Sequence, residues 1–348
     1  MRVALVCPYD LGRFGGVQDQ VTKLAGWLSD AGHETVIVGP GETGPPGARL
    51  VGPVTVLPAN GAATPVTIDP RAWRRVVDAV ADADVVHVHE PLMPLVSMAA
   101  LRGATAPVVA TFHADPPRAV RRIYRVGRRV VRAALRPAAV VTAVSPVAAA
   151  PLVGITVPRL VPNGVDVELI RGVRGGPKAP AAVVFVGRAD RRKGLDVLLE
   201  AWPEVTRRVP PATLVVIGAA SPVPPPVGVT FLGRVTDAEK YRRLAGAAAL
   251  VAPNRGGESF GIVLAEAMAA GCAVVASALP GFVHVAGDAA RFVAPGDPEA
   301  LGDALCGLIT DREALAELQE RGRRRASRFD RSVVVDGYVA AYRDALEP

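Results

Sequence analysis

Lysine is nearly absent from this chain of 348 residues. Lys23, Lys178, Lys193 and Lys240 are four of its 40 basic residues, and the other 36 are arginines. Aromatic residues make up 5%, charged residues 21% and hydrophobic residues 50%. So apolar a composition excludes intrinsic disorder, yet no apolar run approaches the roughly 20 residues that a membrane span needs. The apolar start, Val3 to Pro8, is too short for the core of a signal peptide and reads as a buried strand. Cysteine is scarce as well. Cys7, Cys272 and Cys306 are odd in number and far apart, which fits small core residues of a reduced, cytoplasmic protein and not a disulfide framework. Acid is outnumbered by base, 33 to 40, for a net charge of +7. The preference for arginine, alongside abundant Ala, Gly, Val and Pro, marks a GC-rich coding sequence, so the charge alone names no partner. No interleaving of aromatic and basic residues accompanies it, and nucleic acid is not an expected partner.

What the chain has in plenty is short Val-rich runs alternating with helical patterns, the signature of parallel sheets covered by helices on both faces. The first half carries such runs at Val3 to Pro8, Thr35 to Pro40, Thr55 to Ala59, Val85 to Glu90, Val108 to His113 and Val140 to Ser145. The second half restarts at Ala182 to Gly187 and continues with Thr213 to Gly218, Val229 to Gly233, Leu250 to Pro253, Ala273 to Ser277 and Arg291 to Pro295. The expected fold class is α/β with two doubly wound, Rossmann-like domains. The length agrees, since single cores stop growing near about 250 to 300 residues. Val167 to Pro180, rich in Gly and Pro and without period, reads as the linker. The proline-rich stretch Ser221 to Pro226 reads as a stiff loop between strands.

Three strand ends carry candidate chemistry. After the first run, Gly15 and Gly16 open an amphipathic helix with Val17, Val21, Leu24, Ala25 and Leu28 on one face. That arrangement suits either a tight turn or a phosphate approaching the helix N-terminus. The second half opens with Gly187-Arg188-Ala189-Asp190-Arg191-Arg192-Lys193-Gly194. Its cations stand beyond the carboxyl end of a strand, where open α/β sheets bind ligands, although a solvated basic loop has the same composition. Gly256 to Met268 holds Glu258 in a Gly-rich turn and Glu266 inside an apolar helix, where a carboxylate needs a hydrogen-bonding ligand such as a ribose diol or an exposed face. His87 and His89 form a His-x-His on one strand, but no third ligand is near in sequence, so no metal site is expected. Asp84 and Glu90, flanking that strand, read as a turn and an edge.

GGESFGIVLAEAMAAG, with GGV at the start, TFH at Thr111 to His113, PNGVD at Pro162 to Asp166 and GRADRRKG at Gly187 to Gly194, resembles the family 4 retaining glycosyltransferases of the GT-B fold along nearly the whole chain. Within that family, VCPYDLGRFGGVQDQV, VVHVHEPLMP, VATFHADPP and ESFGIVLAEAMAAG are similar to members that transfer mannose from GDP-mannose to a phosphatidylinositol-type lipid. The resemblance implies two Rossmann-like domains facing a central cleft. The N-terminal acceptor domain would span 1–168, with a C-terminal helix at 332–348 packed back on it, and the nucleotide-sugar domain 169–331.

It also implies roles. Gly16 would lie against the donor diphosphate. Arg188 and Lys193, with Arg192 in the same loop, would neutralise it, and Glu258 would bind the sugar hydroxyls. Glu266 would bind the ribose, the backbone of Ser259, Phe260, Gly261 and Ile262 the phosphates, and Arg234, Val235, Thr236 and Lys240 would frame the base. His113 would stand beside the reacting sugar, while Tyr9, Gln18, Asn60 and Arg118 would belong to the acceptor side. No metal or other cofactor is implied, because cations and a helix N-terminus can stabilise the leaving diphosphate.

The acceptor half departs from the inositol-recognising pattern: Ala59 stands where an aromatic residue precedes Asn60-Gly61, and Pro65 where a basic residue follows. A soluble natural-product or aminocyclitol acceptor, with another sugar nucleotide as donor, is the alternative, and a sugar-nucleotide epimerase shares the fold. One segment speaks for a membrane. Arginines at 118, 121, 122, 125, 128, 129, 132 and 136 gather on one face of an expected helix, with Val120, Ile123, Tyr124, Val130, Val131 and Leu135 on the other. Such helices adsorb to anionic lipid, which would make the protein peripheral on the inner face of the plasma membrane. A helix packed on the sheet with a solvated arginine face fits the same spacing.

Overall fold

The computed structural model describes residues 1–347 apart from 60, 61, 174, 176–178 and 222–225, and of 57–59 and 62–65 the backbone alone. The chain divides into two compact units, residues 1–164 with 331–348, and residues 165–330. Each is built on a parallel sheet.

The first unit contains β1 (Arg2–Val6), β2 (Glu34–Gly39), β3 (Arg49–Leu50), β4 (Thr55–Ala59), β5 (Ala62–Val66), β6 (Val85–His89), β7 (Val108–Phe112), β8 (Ala138–Ala143) and β9 (Arg159–Leu160). Seven of these form one sheet in the order β3-β2-β1-β6-β7-β8-β9. β6 and β7 are buried at every position, which is why they read as unbroken apolar runs and not as alternation. Thr55 to Ala59 departs from expectation, because it pairs antiparallel with Ala62–Val66 in a separate hairpin. The helix Gly16–Asp30 buries Val21, Leu24 and Leu28, each contributing roughly 1.5 to 3 kcal/mol. The C-terminal helix Arg331–Leu346 joins the same core through Tyr338 and Tyr342.

The second unit contains β10 (Ala182–Val186), β11 (Thr213–Ile217), β12 (Val229–Gly233), β13 (Ala249–Ala252), β14 (Ala273–Ser277) and β15 (Arg291–Val293) in the order β12-β11-β10-β13-β14-β15. Its core gathers Phe185, Leu198, Trp202, Leu214 and Leu305. The stretch read as a linker begins as a helical turn, Val167–Gly172, because Asp166 caps it by accepting from Leu169 N–H at 2.9 Å.

The expected single amphipathic helix from Arg118 to Arg136 is two helices, Arg118–Val126 and Arg128–Leu135, separated at Gly127. Nothing in the first is buried, and the apolar set is divided: Val131 and Leu135 are buried while Ile123, Val126 and Val130 are exposed.

Candidate active site

In each sheet the strand order reverses once, between β1 and β6 and between β10 and β13, and the loops following those strands bound the crevice where open α/β sheets take ligands. Of the residues singled out by motif, Tyr9, Arg188, Arg192, Lys193, Glu258, Ser259, Phe260 and Gly261 fall in these loops.

In the second unit, β10 leads into the turn Arg191–Lys193 and β13 into the loop from Pro253 to Gly261. Gly194 lets the two meet. It has φ +69°, and a Cβ on it would lie 1.9 Å from the Pro253 carbonyl oxygen. Lys193 Nζ consequently reaches Glu258 Oε2 at 2.6 Å, and Asn254 Nδ2 donates to the same oxygen at 2.7 Å. Arg188 is exposed beside this pair's turn. Arg192 is held on Asp190, donating Nη2 to Oδ2 at 2.8 Å, and that guanidinium holds the Asp190 carboxyl below its usual range despite burial. The helix Ile262–Ala269 starts at Gly261, which has φ +101° and on which a Cβ would lie 2.6 Å from the Phe282 ring, so no side chain fits. Gly261 offers no capping acceptor, so the helix start presents N–H groups to an anion. Phe260 is in the core, edge-on to Phe329 at 5.4 Å, and only its backbone is placed for a ligand. Ser259 and Ile262 are half-buried.

Glu266 is neither exposed nor without protein partners. It is buried, and its Oε1 accepts from Lys240 Nζ at 2.8 Å and from Tyr241 OH at 3.2 Å. Burial works against the Lys240 charge, but Glu266 and then Asp237 outweigh it and hold the ammonium above its usual pKa. Lys240 lies on the helix Asp237–Gly246, which Thr236 caps by accepting from Glu239 N–H. Arg234 is exposed and Val235 half-buried in the short connection before it.

In the first unit, Gly16 is exposed at the start of its helix, after the cap Gly15. Tyr9, half-buried, has its hydroxyl pKa pushed up by burial and by the Glu90 carboxylate. Gln18 is buried and donates Nε2 to the Asp10 carbonyl at 3.2 Å. Arg118 is exposed at the head of its helix, and Asn60 lies outside the described residues. His113 follows β7 and is buried; burial lowers its pKa to about 4, against a hydrogen bond to Asn163 that raises it.

Motif reasoning missed Asn254, Asn163 and Glu90. Glu90 stands immediately after β6 and Asn254 two residues after β13, both strands that flank a reversal, and that rule of position was the signal for both. Asn163 sits inside the quoted PNGVD. Among the described residues no cluster of His, Cys, Asp and Glu is arranged to hold a metal ion, and no helix is long and apolar enough to cross a membrane.

A model of Glycosyltransferase Family 4 matches residues 14–169, and one of Glycosyl transferases group 1 matches residues 180–311. The chain belongs to the family 4 glycosyltransferases, and its fold is GT-B. It is 37% identical to the phosphatidyl-myo-inositol mannosyltransferase of Mycolicibacterium smegmatis, over 98% of this chain and 93% of that protein. It is 35% identical to the enzyme of that name from Mycobacterium tuberculosis, over 98% and 96%. Among solved structures, a glycosyltransferase from Rickettsia africae superposes with a TM-score of 0.75 over 99% of this chain and 98% of that one, at 18% identity.

Proposed function

We propose that the protein is a retaining mannosyltransferase that moves mannose from GDP-mannose to a phosphatidylinositol-type lipid at an anionic membrane surface. The observation that carries this reading is the Lys193–Glu258 pair at the strand-order reversal of the second unit, in a chain whose full-length relatives bear a mannosyltransferase name.

Lys193 commits one of its three N–H donors to Glu258, so the others are available to a diphosphate. Arg188 and the N–H groups opening the helix at Ile262 add to the same field, aimed at charge that develops as the sugar leaves. In the transfer the bond from sugar C1 to the diphosphate oxygen breaks, and the acceptor oxygen bonds to C1 on the same face. The acceptor proton passes to the departing phosphate oxygen, so no carboxylate base is needed. His113, neutral because it is buried, would contribute a dipole beside the sugar and not a proton. Glu258 would hold sugar hydroxyls and Glu266, steadied by Lys240, the ribose. Gly16 and Tyr9 would border donor phosphate and acceptor. With protein cations meeting the diphosphate, the reaction would need no metal.

The membrane part of the reading rests on the two short helices. Arg118, Arg122, Arg125, Arg128, Arg129 and Arg136 are exposed, Ile123, Val126 and Val130 are exposed among them, and neither helix contains an acidic residue. Each arginine near an anionic surface is worth about 1 kcal/mol. Ala59 and Pro65 in the acceptor half keep a soluble cyclitol acceptor as the second reading.

The test is a panel of GDP-, UDP- and ADP-sugars offered with phosphatidylinositol vesicles or soluble cyclitols, in the presence of EDTA. Transfer from GDP-mannose to lipid, lost in Glu258→Ala, is expected. No transfer or hydrolysis from any sugar nucleotide would sink the proposal, and transfer to soluble cyclitols alone would select the second reading.

A further inference from the structure

The His-x-His of β6 and the residue after it have no part in the reading above, yet all three lead to His113. β6 and β7 are parallel neighbours with His89 opposite Thr111. Side chains alternate along a strand, so His113, two residues past Thr111, returns to the face that His87 and His89 share. There His89 Nδ1 meets His113 Nε2 at 2.7 Å. Glu90 reaches the same residue from the other side. It takes a left-handed φ of +49°, uncommon for a residue with a Cβ. This bends its carboxylate back, and Oε1 accepts the backbone N–H groups of His113 at 2.8 Å and Ala114 at 2.7 Å.

We propose that His89 and Glu90 are positioning residues for His113. His89 fixes the tautomer and plane of its ring, and Glu90 fixes the backbone that carries it.

The layer beneath makes His89 a rigid support. Its ring lies 4.1 Å from that of His87, centroid to centroid. His87 is bonded at both nitrogens, to Tyr342 OH at 2.8 Å and to Thr111 Oγ1 at 2.6 Å, and Thr111 continues to Thr142 at 2.5 Å. Neither histidine ring can turn without breaking that layer. Only one proton fits between two neutral imidazoles, and its owner follows from the far side of His89. His89 Nε2 is buried without a hydrogen-bond partner. A buried, unpaired N–H is costlier than a buried lone pair, so the His89 proton is on Nδ1 and donates to His113 Nε2. Neutral His113 therefore carries its own proton on Nδ1, and the ring presents one tautomer to whatever binds beside it. Burial keeps both rings neutral near pH 7.

That His113 stands beside the reacting sugar rests on the proposed function; its tautomer does not. Two measurements therefore separate the claims. The first is a long-range 15N–1H correlation spectrum of the imidazoles in the full-length protein. His113 is expected protonated on Nδ1 in the wild type and in His89→Asn, whose amide N–H falls near the lost Nδ1–H, and mixed between tautomers in His89→Phe. The second is kinetics: kcat of His89→Phe should fall about tenfold to a hundredfold, as expected for a slightly misplaced group. Its donor KM should stay within about twofold, His89→Asn should recover most of the loss, and Glu90→Ala should mirror His89→Phe in kcat. An Nε2-protonated His113 in the wild type overturns the proposal, and that spectrum is readable even if no variant folds. A folded His89→Phe with wild-type kcat and an unchanged His113 signal also overturns it. Absence of any transferase activity in the wild type would count against the function and leave the tautomer result standing.

Discussion

Glu258 and Glu266 stand eight residues apart in one motif and meet different lysines in different environments. The Glu266–Lys240 side chains are 4% and 11% exposed, those of Glu258 and Lys193 21% and 29%. Removing one partner of a buried pair strands the other charge, at about 3 kcal/mol, whereas an accessible pair costs about 1 kcal/mol or less. Glu266→Ala should therefore lower unfolding stability in denaturant by about 3 kcal/mol, clearly more than Glu258→Ala, while Glu258→Ala should cost more activity. The reverse order of stabilities would show that Glu266 is not held as described. The buried histidines make a second prediction at this scale. Burial lowers His87 to about 3 and His113 to about 4, from 6.5. A lowered value means that the stabilisation is complete above pH 6.5 and is lost as pH falls toward the folded values, at about 1.4 kcal/mol per pH unit for each histidine. Between pH 6.5 and 5 each should remove about 2 kcal/mol. Denaturant unfolding across that range checks it, and His87→Asn should show a shallower loss than the wild type.

At the scale of elements, the site of the second unit exists because two loops touch through backbone. The turn after β10 and the loop after β13 are in contact at Gly194, where both the left-handed φ and the Pro253 carbonyl exclude a side chain. Gly194→Ala should push the loops apart, cost about 2 kcal/mol or more, and weaken the thermal stabilisation that a nucleoside diphosphate gives. An alanine variant with wild-type stability and nucleotide response would show that the contact is dispensable. The helices from Arg118 to Leu135 illustrate the limit of periodicity. Spacing showed arginines and apolar residues separated by a helical period, but it did not show the interruption at Gly127 or which apolar residues become covered: Val131 and Leu135 are buried, and Ile123 and Val126 are exposed.

For the whole molecule, the chain leaves its first unit at Gly164 and returns to it at Arg331. The returning helix supplies Tyr338 and Tyr342 to the first core, and Tyr342 holds His87. Ending the chain at Asp330 should expose that core and leave a buried histidine nitrogen unpaired, so the first unit should lose cooperative unfolding while the second keeps its own. A thermal scan with separate probes in the two units would show this, and an unchanged first transition would argue against it.

Repetition of Val-rich runs and Gly-rich strand ends determined, without any coordinates, two Rossmann-like sheets and the loops in which Gly16, His113, Lys193 and Glu258 lie. These features are local, set by the period of apolar residues and by where a chain must turn. The tertiary structure alone decided which side chains meet: Lys193 with Glu258 across 65 positions, Lys240 with Glu266 across 26, His89 with His113 across 24, and His87 with Tyr342 across 255. A buried polar group is normally satisfied by some partner, and the sequence shows that requirement at Glu266. Which partner answers it depends on strand order and helix docking, which bring distant residues within hydrogen-bond reach.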